Sequence, residues 1–132
     1  MEWKYIKELK DYKSITNIEK KYNINIPNYL KDLIIQYNGG RSVNNIFDTN
    51  NNKEKVFKCL LSYNSDDREN IYIYNDLFET NHIPFANTPS GDVICLNIKN
   101  QKIELYLHET DKFELVSDNI EKFIEGSYSH CC

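Results

Sequence analysis

The sequence predicts an α+β domain: helices first, then a largely antiparallel sheet of about five to six strands, then a closing helix. Two observations indicate this class. Apolar residues recur at helical spacing near both ends of the chain, whereas residues 41–117 are dominated by short apolar or alternating runs separated by turn residues. Because helices and strands are segregated, the chain does not match the alternating βα units of a parallel sheet.

Three helices are predicted before the sheet. The first covers residues 2–12, where apolar side chains recur at every third position: Trp3, Ile6, Leu9 and Tyr12. The second covers residues 16–22, because Thr16 and Glu19 have the spacing of a capping box. The third starts at Pro27, which suits a first helical position, and stops at Asn38-Gly39-Gly40, where glycine accepts the left-handed conformation of a helix end.

Six strands are predicted, with an Asn-rich turn at residues 49–52. They cover residues 42–48, 55–61, 83–86, 92–98, 102–107 and 113–116. Residues 69–79 fit either a strand or a helix, and a helix is favoured by the stripe of Ile71, Tyr74 and Phe78. The closing helix follows Asp118 and presents an apolar face formed by Ile120, Phe123 and Ile124.

The length and composition indicate one soluble domain, predicted over residues 1–126, with a tail at 127–132. Aromatic residues make up 13% of the 132 residues, enough for a core, and no apolar run approaches the ~20 residues of a membrane span. The first four residues show no secretory signal, so we expect a cytoplasmic location and reduced cysteines.

The charge is unevenly distributed along the chain. Residues 1–66 carry 11 Lys and Arg against 8 Asp and Glu, a balance of +3, whereas residues 67–132 carry 5 against 12, a balance of -7. Nucleic acid binding needs a basic surface, so this pattern argues against it. An acidic half suits a basic protein partner, and the alternative is simply a solvated acidic surface.

No catalytic or metal motif is present. His82, His108 and His130 belong to no HExxH or Cys–His signature, and structural or surface roles are favoured for all three. Cys59 and Cys95 lie in apolar runs, which predicts buried free thiols. Cys131 and Cys132 have no paired zinc spacing, and their tail is expected to fray. We therefore expect no enzyme activity, cofactor or metal.

The order of these signals resembles the SUKH superfamily, which includes the fungal cell-wall regulator domain and many bacterial toxin-immunity proteins. The matching features are Trp3, then IPNYLKDLIIQYNGG at 26–40, Ile46-Phe47-Asp48, IPFANTPSGDVICLNI at 83–98, LYLHE at 105–109 and DNIEKFIEG at 118–126. The resemblance implies a non-catalytic, intracellular protein that binds and occludes a polymorphic or contact-dependent toxin, often a nuclease. A regulatory scaffold is the alternative, followed by an enzyme using His82 or His108 beside an acid.

Within such a domain, the motif residues are expected to be structural. Trp3, Leu30, Leu33, Phe47 and Phe123 are interpreted as core. Contacts with a toxin are instead expected from acidic loops, or from strand ends of the negative half: Asp66, Asp67, Glu69, Tyr72, Glu109, Asp111 and Glu114. Four tyrosines are interpreted as exposed candidate anchors: Tyr63, Tyr72, Tyr106 and Tyr128. A monomer or a homodimer fits this interpretation, and neither nucleic acid nor a membrane is expected as a direct partner.

Overall fold

The computed structural model describes residues 2–129 and confirms the α+β class. Its helices are α1 (Lys13–Tyr22), α2 (Asn28–Tyr37), a 3-10 helix (Ile71–Tyr74), α3 (Asn75–Glu79) and α4 (Ile120–Gly126). Its strands are β1 (Trp3–Lys4), β2 (Arg41–Ser42), β3 (Ile46–Phe47), β4 (Lys55–Val56), β5 (Cys59–Leu60), β6 (His82–Asn87), β7 (Val93–Asn97), β8 (Ile103–Leu107) and β9 (Lys112–Ser117).

The main sheet has five antiparallel strands in the order β5-β6-β7-β8-β9. Its register places Ile83, Leu96 and Ile103 in one row, and all three are buried on the face towards the helices. Phe123 of α4 packs edge-on against Phe85 of β6, with ring centroids 5.8 Å apart. The strands β6 and β7, buried along nearly their whole length, and the alternating β8 therefore contribute to one continuous core.

The helix predicted over residues 2–12 is wrong. This segment is extended: β1 pairs antiparallel with β2, and the Lys7 N–H donates to the Asn38 carbonyl at 2.7 Å. Leu9 is the one member of the predicted stripe that is buried, whereas Ile6 and Tyr12 are exposed and Trp3 is half-buried. A short helix is marginal without a buried face, so pairing with the chain around residues 38–43 prevails.

Helix α1 begins three residues before the predicted start at Thr16, and the predicted capping box does not form. Asp11 supports the first turn, because its side chain accepts from the Lys13 N–H at 2.9 Å. Glu19 instead accepts from the Ile26 N–H at 2.9 Å and pairs with Lys31 at 3.1 Å. Glu19 thus joins α1 to the start of α2, a long-range role that local spacing does not indicate.

The elements after residue 40 follow the prediction more closely. The helix favoured over residues 69–79 is confirmed as the 3-10 helix and α3, and the predicted turn at 49–52 closes through the Thr49 N–H and the Asn52 carbonyl at 2.7 Å. The predicted strands 42–48 and 55–61 each divide into two strands of two residues, because successive pieces pair with different neighbours.

The closing helix and the chain beyond it are held by specific hydrogen bonds. Asn119, rather than Asp118, caps α4, accepting from the Lys122 N–H at 2.8 Å. Beyond Gly126, the backbones of Tyr128 and Ile46 exchange two hydrogen bonds at 2.8 and 2.9 Å. His130, Cys131 and Cys132, for which a fraying tail is predicted, lie outside the described residues. Within residues 2–129, no helix has the length and apolar character needed to cross a membrane.

Candidate protein-binding site

The acidic loop after β5, residues 61–70, is shaped by an internal hydrogen-bond network. Ser62 donates to the Asp67 carboxylate at 2.6 Å, and the Asn64 amide donates to the same carboxylate at 3.0 Å. Asp67 is half-buried and serves the loop itself. Asp66 is exposed and pairs with Lys10, and the hydrogen bond from Lys10 lowers the pKa of that carboxyl. Of these two candidate contact residues, Asp66 is the one that faces solvent.

Glu69 joins the loop to the sheet. Its carboxylate accepts from Lys58 at 2.7 Å, from the Asn87 amide at 2.5 Å and from the Cys59 thiol at 3.2 Å. Partial burial opposes ionisation, but the hydrogen bonds from Asn87, Lys58 and Cys59 outweigh it and lower the pKa of Glu69 to about 2. Glu69 is therefore an anionic structural link that shows one side to solvent.

The tyrosines predicted to be exposed lie deeper than expected. Tyr63 is buried, so its interpretation as a surface anchor is wrong, and its hydroxyl has no hydrogen-bond partner within the described structure. Burial raises the pKa of that phenol. Tyr72 is half-buried and donates its hydroxyl to the Tyr63 carbonyl at 2.8 Å, while Tyr106 and Tyr128 are also half-buried.

The turn between β8 and β9 presents the second group of candidates. Glu109 and Asp111 are exposed, and Asp111 accepts a hydrogen bond from the Tyr106 hydroxyl at 2.5 Å. Glu114 differs, because it is buried and its carboxylate accepts from Thr49 and from the Asn52 amide at 3.1 Å. Glu114 thus anchors the turn at residues 49–52 and presents no free carboxylate to a partner.

The candidate contact residues therefore fall into two groups. The first, by the loop after β5, is Asp66, Asp67, Glu69 and Tyr72, and the second, at the β8–β9 turn, is Glu109, Asp111 and Glu114. The register places Cys59, Asn87, Val93 and Tyr106 towards one end of the sheet, so Glu69 and the β8–β9 turn share that end. However, β5 and β9 form opposite edges of the five-stranded sheet, about 19 Å apart at the usual strand spacing. A partner that contacts both groups must span the end of the sheet.

A cleft of about 610 Å³ opens beside the first group, between the N-terminal segment, the end of α2 and the loop after β5. Four cationic side chains line it, together with two carboxylates and an exposed tyrosine: Lys7, Arg41, Lys58, Arg68, Asp67, Glu69 and Tyr5. Sequence reasoning missed this site because its cations come from four separate segments. The one local signal was the excess of Lys and Arg in the first half of the chain.

Two sequence features fix the wall of this cleft. The buried Asn38 donates to the Lys7 carbonyl at 2.7 Å and to Ser62 at 2.9 Å, and accepts from the Tyr63 N–H at 2.8 Å. Gly39 has φ +70°, and a Cβ there would lie 2.8 Å from the Lys7 side chain. The Asn-Gly-Gly segment thus lets the N-terminal strand approach α2 closely, besides ending the helix.

The two described histidines, His82 and His108, each contact a carboxylate, and neither lines this cleft. His82 is buried with its two ring nitrogens 2.8 Å from the Thr80 carbonyl and 2.6 Å from Glu104, stacked on Phe113. His108 contacts Asp92 at 2.6 Å. Residues 2–129 contain no group of three or more His, Cys, Asp or Glu side chains positioned to hold a metal ion.

The two described cysteines are buried free thiols, as predicted. Burial, reinforced by the hydrogen bond to Glu69 and its charge, raises the pKa of Cys59 to about 12. Burial also raises the pKa of Cys95. A thiol nucleophile needs the thiolate form, so neither environment is that of a reactive cysteine.

Comparison with known proteins decides the family. The SUKH_6 family, described as SMI1-KNR4 cell-wall, matches residues 12–124. The chain belongs to this family. The match includes the sheet, all four α-helices except the last two residues of α4, and the loop after β5, whereas Tyr5 and Lys7 of the cleft precede it.

One curated relative shares a shorter stretch with this family member. Over 55 residues the chain is 40% identical to the SPbeta prophage-derived uncharacterized protein YokK of Bacillus subtilis (strain 168). The aligned stretch covers 39% of this chain and 29% of that protein, so the chain spans less than a third of the relative's length.

Proposed function

We propose that this family member is an intracellular immunity protein that binds a toxin domain and occludes it. The SUKH family includes immunity proteins as well as regulatory domains. Occlusion requires a tight interface and no chemistry of its own. The described histidines and cysteines agree with this, because His82 and His108 contact carboxylates and Cys59 and Cys95 are buried thiols. The toxin we expect is a basic, nuclease-like domain of a polymorphic or contact-dependent system.

The observation that carries the proposal is the set of exposed carboxylates in the second half of the chain. Five of them have no hydrogen-bond or ion-pair partner within residues 2–129: Asp76, Glu79, Glu109, Glu121 and Glu125. Unpaired surface carboxylates generate a negative potential that accelerates the approach of a basic partner. Fast capture matters for an inhibitor that must act before its toxin damages the cell.

Among the contact residues predicted from sequence, the structure favours the exposed ones for this role. Glu109 and Asp111 on the β8–β9 turn, with Asp66 near the cleft, remain the proposed acidic contacts. Asp67, Glu69 and Tyr72 supply the framework that positions the loop after β5 and offer their exposed edges. Glu114 is assigned to the framework alone.

The proposal is tested by capture followed by reconstitution. Tagged chain is incubated with lysate of the source cell at low and raised salt, and the captured protein is identified by mass spectrometry. The terminal domain of that protein is then produced separately, and its binding to the chain is measured by calorimetry. We expect one dominant, basic partner whose affinity falls as salt is raised.

Charge variants distinguish an acidic interface from general electrostatics. Glu109→Gln/Asp111→Asn is expected to weaken the complex about three- to tenfold, mostly through slower association. The matched control is Glu2→Gln/Asp32→Asn, which removes the same charge from exposed positions of the first half. Equal weakening by both pairs contradicts the assignment of the β8–β9 turn to the interface. In the capture experiment, several weak partners without toxicity would indicate the regulatory scaffold instead.

A further inference from the structure

The cleft beside the loop after β5 carries the opposite charge to the acidic surface. We propose that it binds an acidic side chain of a protein partner, with the carboxylate held by Arg41 and Arg68. This inference goes beyond the proposed function: it concerns a second recognition site of opposite polarity, and its test needs no toxin.

The charges of the cleft do not cancel. Its two carboxylates are occupied internally, since Asp67 accepts from Ser62 and Asn64, and Glu69 accepts from Asn87 and pairs with Lys58. The other three cations have no ion pair or side-chain hydrogen bond with any described residue: Lys7, Arg41 and Arg68. Four cations against two carboxylates leave this concavity a formal charge of +2 in a chain of net charge -4, which marks a site for an anion.

The shape and lining of the cleft favour a carboxylate on an apolar stem. A guanidinium presents a planar fork of donors that matches a carboxylate in two parallel hydrogen bonds. The exposed ring of Tyr5 adds apolar surface to the lining, which suits the methylenes of a glutamate side chain. The volume of about 610 Å³ lies within the range of ligand sites and leaves room for one or two side chains.

Tyr5 at the cleft indicates that the anion belongs to a protein. Its side chain is 73% exposed, and its backbone is left-handed, with φ +56°. That conformation is unfavourable for a non-glycine residue, and it is maintained by the β1–β2 pair on one side and the Lys7–Asn38 hydrogen bond on the other. Exposed tyrosine beside arginine in a concavity is the composition of a protein-binding hot spot. A nucleic acid is disfavoured by the acidic remainder of the surface.

The test is an NMR titration of the full chain with a capped Gly-Glu-Leu-Glu-Gly peptide. Parallel titrations use Gly-Gln-Leu-Gln-Gly and inorganic phosphate, which separate an acidic side chain from a neutral peptide and from a free anion. We expect saturable shifts of the Lys7, Gly39, Arg41 and Arg68 amides with the acidic peptide. The neutral peptide should leave these amides unshifted, and phosphate should bind at least about tenfold more weakly because it gains nothing from the apolar walls.

A pair of arginine substitutions provides the second readout. Arg41→Gln/Arg68→Gln should weaken the acidic peptide about tenfold or more, since each lost bond involves two charged groups. Lys20→Gln/Lys99→Gln removes the same charge at exposed positions outside the cleft and should change the affinity less than about twofold. Unchanged dispersion of the remaining amide signals shows that both variants are folded.

Several results would overturn the proposal. These are equal shifts with the neutral peptide, phosphate binding as tight as the acidic peptide, or retained affinity in the arginine variant. Absence of saturable shifts up to the solubility limit of the peptide also contradicts it. None of these results affects the capture experiment, so failure of the cleft and failure of the immunity function are distinguishable.

Discussion

Replacing Asn38 by alanine should destabilise this domain more than any exposed polar substitution. The side chain is 1% exposed and makes three hydrogen bonds of 2.7, 2.8 and 2.9 Å to three separate parts of the chain. It connects the N-terminal segment through the Lys7 carbonyl with the loop after β5 through Ser62 and the Tyr63 N–H. No other residue type of the same size offers both a donor pair and an acceptor in this geometry.

The magnitude follows from the groups left without partners. Each lost hydrogen bond contributes about 0.5–1.5 kcal/mol, and a buried N–H or carbonyl without a partner costs about 1–3 kcal/mol. For Asn38→Ala we therefore expect a loss of about 3–5 kcal/mol in the free energy of unfolding. That loss is a large share of the roughly 5–15 kcal/mol that stabilises a domain of ordinary size.

Urea denaturation followed by circular dichroism measures this loss. Asn17→Ala is the control, because Asn17 lies exposed on α1 and makes no side-chain hydrogen bond within the described residues; it should change stability by less than about 0.5 kcal/mol. Hydrogen exchange adds a local readout, since the Lys7 amide should lose protection in Asn38→Ala. A loss below about 1 kcal/mol would refute the reasoning that Asn38 holds the two segments together.

Three further substitutions test other features of the structure. Tyr63→Phe removes the buried hydroxyl that has no partner within the described residues. It should leave the free energy of unfolding unchanged or raise it by up to about 2 kcal/mol. A decrease of more than about 1 kcal/mol in urea denaturation contradicts this. Because Glu69 is ionised at a pKa near 2 in the folded chain, its stabilisation is complete above its ordinary pKa near 4.5 and declines as pH falls towards 2. Glu69→Gln should therefore lower stability by about 1–2 kcal/mol at pH 7 and much less at pH 2, and a pH-independent difference would count against it. Gly39→Ala should lower the free energy of unfolding by about 1–2 kcal/mol or more, because its φ is positive and an added Cβ would meet Lys7. Gly126→Ala, which has open space at its Cβ, should be close to neutral when both variants are compared in thermal melts.

The sheet and the later helices were predictable because their local and tertiary preferences agree. Residues 103–107 alternate apolar and polar side chains, and the structure buries Ile103 and Leu105 as the alternation requires. Pro27 marks the start of α2, and Gly39 follows its end, as local backbone preferences dictate. In such segments each neighbour reinforces the same conformation, so the sequence pattern is sufficient.

The N-terminal segment was not predictable because its partners lie far along the chain. Residues 2–10 have a helical apolar stripe, but their backbone groups bond to Val43 and to the side chains of Asn38 and Asn64. These two asparagines lie between 31 and 56 residues away from their partners along the chain. A spacing pattern concerns only residues a few positions apart, so it contains no information about such distant partners. The same limitation explains the misassigned Glu19, whose partners are Ile26 and Lys31 rather than the first turn of its own helix.

The candidate site was predictable in its charge but not in its geometry. The acidic balance of the second half predicts exposed carboxylates, and the structure exposes Glu109 and Asp111. It gave no means of separating them from Glu114, which lies on the core-facing side of β9 under the turn at 49–52. The cationic cleft required four segments to converge, and convergence is a property of the fold rather than of any local motif.

The immunity function is tested most directly by growth. The terminal domain of the captured partner is expressed from an inducible promoter, alone and together with this chain, and cell growth is followed with the wild type and with Glu109→Gln/Asp111→Asn. We predict that the partner domain arrests growth and that the wild-type chain restores growth in proportion to the amount of complex formed. A partner domain that is harmless, or one that still arrests growth while fully bound to the chain, would contradict it.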